Sequence, residues 1–106
     1  MTWGMDELEA RARTQLSRMQ DFSDRLGAIT VRETSPDGLV SIEVDGVGGV
    51  REIVLSPHAD RLGAARLGET IVATAALAAQ RAFAQRARVT EEFAESFAEL
   101  LGSRPR

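Results

Sequence analysis

Apolar residues recur along the first quarter of the chain at alternating intervals of three and four. They are Met5, Leu8, Ala12, Met19, Phe22 and Leu26, with Gln15 and Leu16 straddling the one omitted place. This heptad-like stripe predicts an amphipathic helix from Thr2 to Gly27. Thr2 is placed to cap it, Asp6 and Glu7 suit the positive end of its dipole, and Gly27 supplies a stop. The period then changes. "AITVRETS", "LVSIEV" and "VREIVL" are short runs rich in valine and isoleucine, separated by "PDG" and "DGVGG", and they predict a three-stranded antiparallel meander. Val40, Ile42 and Val44 fall on one face of the middle strand and Ser41 and Glu43 on the other. Ile29, Val31, Ile53 and Leu55 can supply the apolar face of the flanking strands. One sheet face is then buried and one is wet.

Beyond Pro57, "HADRLGAARLG" fits a helical turn and a loop, and from Leu67 the alanine-rich "LGETIVATAALAAQRAFAQRAR" predicts a second long helix. Its centre, "IVATAALAA", is apolar on nearly every side, so one sheet face cannot cover it. Thr90 followed by Glu91 and Glu92 resembles a fresh cap, with Phe93, Phe97, Leu100 and Leu101 forming a short amphipathic tail helix before "GSRPR" frays; the residues leave open whether the helix continues through Val89 or breaks there. The expected fold is therefore α+β: a long N-terminal helix, a three-stranded antiparallel meander, and a long alanine-rich helix plus a short C-terminal helix. It forms one domain over residues 1–106, with its core at about 5–88 and an acidic tail at 90–106. A first helix about 37 Å long exceeds the ~13 Å radius of gyration of a compact chain of this size, so it must overhang its own domain. A homodimer is the simplest way to cover such a helix, with Met19, Phe22, Ile71, Ala75, Phe93 and Phe97 as candidate packing residues.

Composition narrows the chemistry. The chain has no cysteine and one histidine, His58, which leaves no thiolate nucleophile, no zinc-finger arrangement and little for a Ser-His-Asp relay. No nucleophile–base pair is identifiable, so neither enzymatic activity nor a metal or cofactor is expected. No run is long and apolar enough for a membrane span and the acidic start is unlike a signal peptide, which points to the cytoplasm. The "DGVGGV" stretch lacks the Gly-Lys-Ser/Thr ending of a phosphate cradle and has strands on both sides. It reads as a hairpin turn in which Gly46, Gly48 and Gly49 permit positive φ. The net charge is -3 and all 13 basic residues are arginines. Only residues 67–90 are net positive, through Arg81, Arg86 and Arg88.

The order of elements, the cadence of Gly38, Leu39, Val40, Ile42, Val44, Gly46, Gly48, Val50, Ile53, Leu55 and Pro57, and the helix "LGETIVATAALAAQRA" resemble the YbaB/EbfC family of nucleoid-associated proteins over residues 5–88, as a divergent member. The resemblance implies a small, tweezer-like α+β homodimer that binds double-stranded DNA with modest sequence preference, in the cytoplasm at the nucleoid. Arg81, Arg86 and Arg88 are the first candidates for phosphate contact. Arg61, Arg66 and a column of Arg11, Arg18 and Arg25, spaced by seven on the first helix, are auxiliaries. The column has a second reading, a solvated face neutralised by the pairs Glu7–Arg11, Glu9–Arg13 and Asp21–Arg25. The alternative for the whole protein is a scaffold of the same fold, associated for example with type VII secretion, that holds a protein partner through residues 90–106. His58 has no assigned role.

Overall fold

The computed structural model describes residues 3–102. The expected cap at Thr2 and the tail at 103–106 lie outside them. Helix α1 runs Trp3–Gly27. Strands β1 (Thr30–Thr34), β2 (Val40–Asp45) and β3 (Val50–Leu55) form an antiparallel sheet in that order. A 3₁₀ turn at Ala59–Leu62 then leads into α2, Ala64–Leu100.

Short side chains make the two hairpin turns. In the first, Ser35 N–H donates to the Val40 carbonyl at 2.8 Å and the Ser35 hydroxyl donates to Asp37 Oδ1 at 2.6 Å, while Gly38 takes φ 75°. In the second, Asp45 Oδ1 accepts from the N–H groups of Val47 and Gly49 at 3.1 and 2.8 Å, an Asx-type turn. Only Gly48 of the three loop glycines has positive φ, 82°. Gly46 and Gly49 are there for room instead: a Cβ at Gly46 would lie 3.1 Å from the Leu26 carbonyl, and one at Gly49 would lie 3.2 Å from the Asp45 carboxylate.

The core sits between β1, β2 and the middle of α2. Val40, Ile42 and Val44 are 0% exposed and pack with Ile29, Val31, Ala78 and Ala82. Alanines on α2 let the helix lie close to the valine-rich sheet. Ile53 and Leu55 depart from expectation, since they point to the same face as their partners Ile42 and Val40 yet remain 46% and 44% exposed. The cause is placement: α2 packs across β1 and β2, leaving edge strand β3 outside its cover.

Helix α2 also departs from expectation, because it does not break at Thr90. The Thr90 hydroxyl donates to the Arg86 carbonyl at 2.8 Å, so it is bonded within the helix instead of capping a new one. Thr70 and Thr74 are bonded back in the same way. Tertiary packing then holds the last turns: Phe93 stacks on Phe22 of α1 with ring centroids 4.2 Å apart, and on Phe97 at 5.2 Å. Arg25 pairs with Glu92 at 2.6 Å and Arg18 donates to Ser96. These contacts run α1 and α2 antiparallel. Past them, the N-terminal half of α1 projects with Met5, Leu8 and Leu16 exposed. The chain is accordingly elongated, 76 × 29 × 16 Å with a radius of gyration of 21.2 Å.

Candidate nucleic-acid interface

The arginines expected to act together on α2 lie on two sides of it. Arg81 and Arg88 are seven residues apart and share one helix face, whereas Arg86, at about 100° per residue, points nearly opposite Arg88. The clefts flanking the helix follow this division. One, on the β1 side, is lined by Thr30, Arg32, Arg81, Ala84, Gln85 and Arg88. The other lies where the end of α1 meets the β2–β3 turn and is lined by Ser23, Leu26, Asp45, Val47, Arg51 and Arg86.

The guanidinium groups also differ in what already holds them. Arg81 bonds Glu33 Oε2 at 2.5 Å. Among the described residues, neither Arg86 nor Arg88 has a carboxylate at ion-pair distance. Glu33 has the same strand parity as buried Val31, which turns its carboxylate toward α2. That alternation is the sequence signal by which Glu33 could have been found as a partner for this helix.

The helix 1 column divides as well. Arg25 is held by Glu92, which raises its pKa first through the hydrogen bond and then through charge. Arg18 bonds Ser96, and Arg11 has no ion pair among the described residues. Of the three i,i+4 pairs expected to neutralise this face, Glu9–Arg13 forms, at 4.0 Å. Arg25 prefers Glu92 on the neighbouring helix to Asp21 on its own, a tertiary choice that spacing along α1 cannot reveal.

Arg61 and Arg66 are exposed near the start of α2, and Arg66 lines a groove with Pro36, Asp37 and Glu69. His58 is exposed. On the outer sheet face Arg32 bridges Glu52 and Glu43, the latter at 3.0 Å, and donates to Ser41. The Glu52 hydrogen bond is the main cause of its raised pKa.

The candidate packing residues are placed as follows. Phe22, Phe93 and Phe97 pack on one another within the subunit, Ile71 and Ala75 lie half-buried against the core, and Met19 is exposed. Large apolar residues are also exposed elsewhere among the described residues. On β3, Val50, Ile53 and Leu55 share the face of the β2 core residues and Val54 takes the opposite face; on α2, Val72 and Phe83 are exposed. Phe83 reaches the β2–β3 turn, where a Cβ on Gly48 would lie 2.9 Å from its ring.

No described helix is long and apolar enough to cross a membrane. A nucleoid-associated protein of Caulobacter sp. (strain K31) is 29% identical over 99 residues, covering 92% of this chain and 91% of that protein. The profile of the YbaB/EbfC DNA-binding family matches residues 1–97, nearly the whole chain and every element described above, and the chain belongs to that family.

Proposed function

We propose that the protein is a non-enzymatic, homodimeric, nucleoid-associated protein of the cytoplasm that binds double-stranded DNA with low sequence specificity. The observation that carries the DNA reading is the position of Arg86 and Arg88: two cations without carboxylate partners among the described residues, in the only net-positive stretch of an acidic chain. Guanidinium groups on a helix suit phosphate oxygens, and such contacts position a protein on a duplex without reading bases. Sequence preference then comes from DNA shape. The net charge of -3 opposes approach, which makes the local distribution decisive.

Dimerisation is supported by β3. It is an edge strand with all six residues exposed, four of them large and apolar. The α2 stripe of Val72, Ala76, Ala79 and Phe83 recurs at helical spacing beside it. A second copy related by a two-fold axis covers both apolar surfaces at once and removes an unprotected sheet edge. It also doubles the number of unpaired α2 arginines available to one duplex.

Within the tail helix Phe93 stacks on Phe22 of the same chain and Phe97 stacks on Phe93, which favours the DNA reading over the scaffold reading.

The test is a low-salt mobility shift on duplex DNA with wild type and with Arg81→Glu, Arg86→Glu and Arg88→Glu combined. Wild type shifts the duplex and the triple variant loses at least tenfold in affinity while keeping its solution mass. Failure of wild type to shift any duplex at low salt would remove the DNA reading.

A further inference from the structure

We propose that the cleft between the free edge of β1 and α2 is a seat for a DNA backbone phosphate, and that Glu33 competes with that phosphate by holding the guanidinium of Arg81, one of the cleft's lining residues. The inference rests on the duplex-binding reading above and adds an internal competitor to it. Three observations carry it.

First, the cleft is open, about 440 Å³, and brings Arg81 and Arg88 to one wall. The third arginine at its margin, Arg32, commits its guanidinium to Glu43 and Glu52 on the opposite sheet face. Second, Arg81 is 62% exposed while its partner Glu33 is 16% exposed. The carboxylate is fixed by the strand and the guanidinium is free to swing, so the pair opens by moving the arginine alone. Third, Arg88 lies about 10 Å further along the same helix face at 1.5 Å per residue, with no ion pair among the described residues. A strand contacting Arg88 therefore passes Arg81.

The guanidinium of the pair is exposed to solvent, so a polyanion competes with Glu33 for it directly. Release of Arg81 to a phosphate costs the Glu33 contact but gains counterion release, so Glu33 lowers both the affinity and the salt sensitivity of binding. An extended acidic peptide added along the β1 edge would meet the same two arginines. The duplex is favoured because Arg81 and Arg88 mark a line along the helix that a regularly charged backbone can follow.

The experiment compares duplex binding by full-length wild type, Glu33→Gln, Arg81→Gln, the double variant, and Glu99→Gln, which removes the same charge at the far end of α2. Glu33→Gln should bind about 3- to 10-fold more tightly, with the slope of log K against log salt steeper by about 0.9 for each phosphate gained. That gain should vanish in the double variant and be absent in Glu99→Gln. As a measurement independent of substitution, the Arg81 side-chain N–H and Glu33 carboxyl resonances of wild type should shift together on adding duplex. Unchanged binding by Glu33→Gln, or a gain that survives Arg81→Gln, overturns the proposal while leaving duplex binding intact. A poly-glutamate peptide bound as tightly as duplex overturns it as well. If neither wild type nor Glu33→Gln binds duplex at low salt, the underlying reading fails with it.

Discussion

Strands β2 and β3 are neighbours of equal length and both rich in valine and isoleucine, yet one buries every second residue and the other has all six exposed. Ile42 is 0% exposed; Ile53, its registered partner, is 46% exposed on the same face. Nothing in the two side chains accounts for this. The difference lies in what covers them: α2 crosses β1 and β2, and the subunit has no second layer to place on β3. Amino-acid pattern therefore states which face of a strand is meant to be dry, while coverage depends on which elements are present to dry it. An apolar edge strand left open is the kind of surface that the proposed second copy would cover.

That contrast can be broken by substitution. Ile42→Ala should cost about 2–5 kcal/mol, because it opens a cavity in a fully packed site. Ile53→Ala should cost much less in a dilute subunit, and its effect should grow with protein concentration if a second copy packs on it. Chemical denaturation at two concentrations measures both. Equal, concentration-independent costs would mean that the two strands are equivalent after all.

At the hinge between covered and open sides, Gly48→Ala should destabilise by about 1–2 kcal/mol. The left-handed backbone, φ 82°, disfavours a side chain, and the new methyl meets the Phe83 ring. Gly27→Ala, with nothing near its Cβ and no positive φ, is the control. Thermal melting of the pair separates backbone strain from general loss of glycine.

The smallest effect is at the far turn of the sheet. The Ser35 hydroxyl first, then the Leu39 amide, hold the Asp37 carboxyl below its usual range. A depressed carboxylate stabilises the fold above its unfolded-state value and loses that contribution as pH falls through its folded-state value. Asp37→Asn should therefore melt slightly below wild type near neutral pH, and the gap should close below about pH 4. A gap that persists in acid would assign the effect to shape instead of charge.

Much of this was legible in the residues. Alternation identified the three strands, the core face of β2 and the flanking Ile29 and Val31, and the three-four spacing identified α1 to its glycine stop. What escaped was tertiary. Thr90 has the chemistry of a cap and is instead bonded to the preceding turn, because Phe93, stacked on Phe22 of α1 and on Phe97, gives the continuing helix a packing surface. Arg25 turns to Glu92 on another helix, 67 residues away in sequence. Arg81, Arg86 and Arg88 are close in sequence but not on one face, a separation that helical geometry contains once the helix is known to be continuous. Glu33 was hidden among strand residues until its parity met the arginines of α2.

Solution mass tests the account most directly, because the open side of the sheet and the doubling of the α2 arginines both depend on a second copy. Sedimentation equilibrium should return twice the chain mass of 11.5 kDa for wild type. Ile53→Asp, which places a carboxylate in the apolar patch of β3, should return the single-chain mass with its secondary structure retained. A folded wild-type protein that sediments as one chain across the micromolar range would contradict the account.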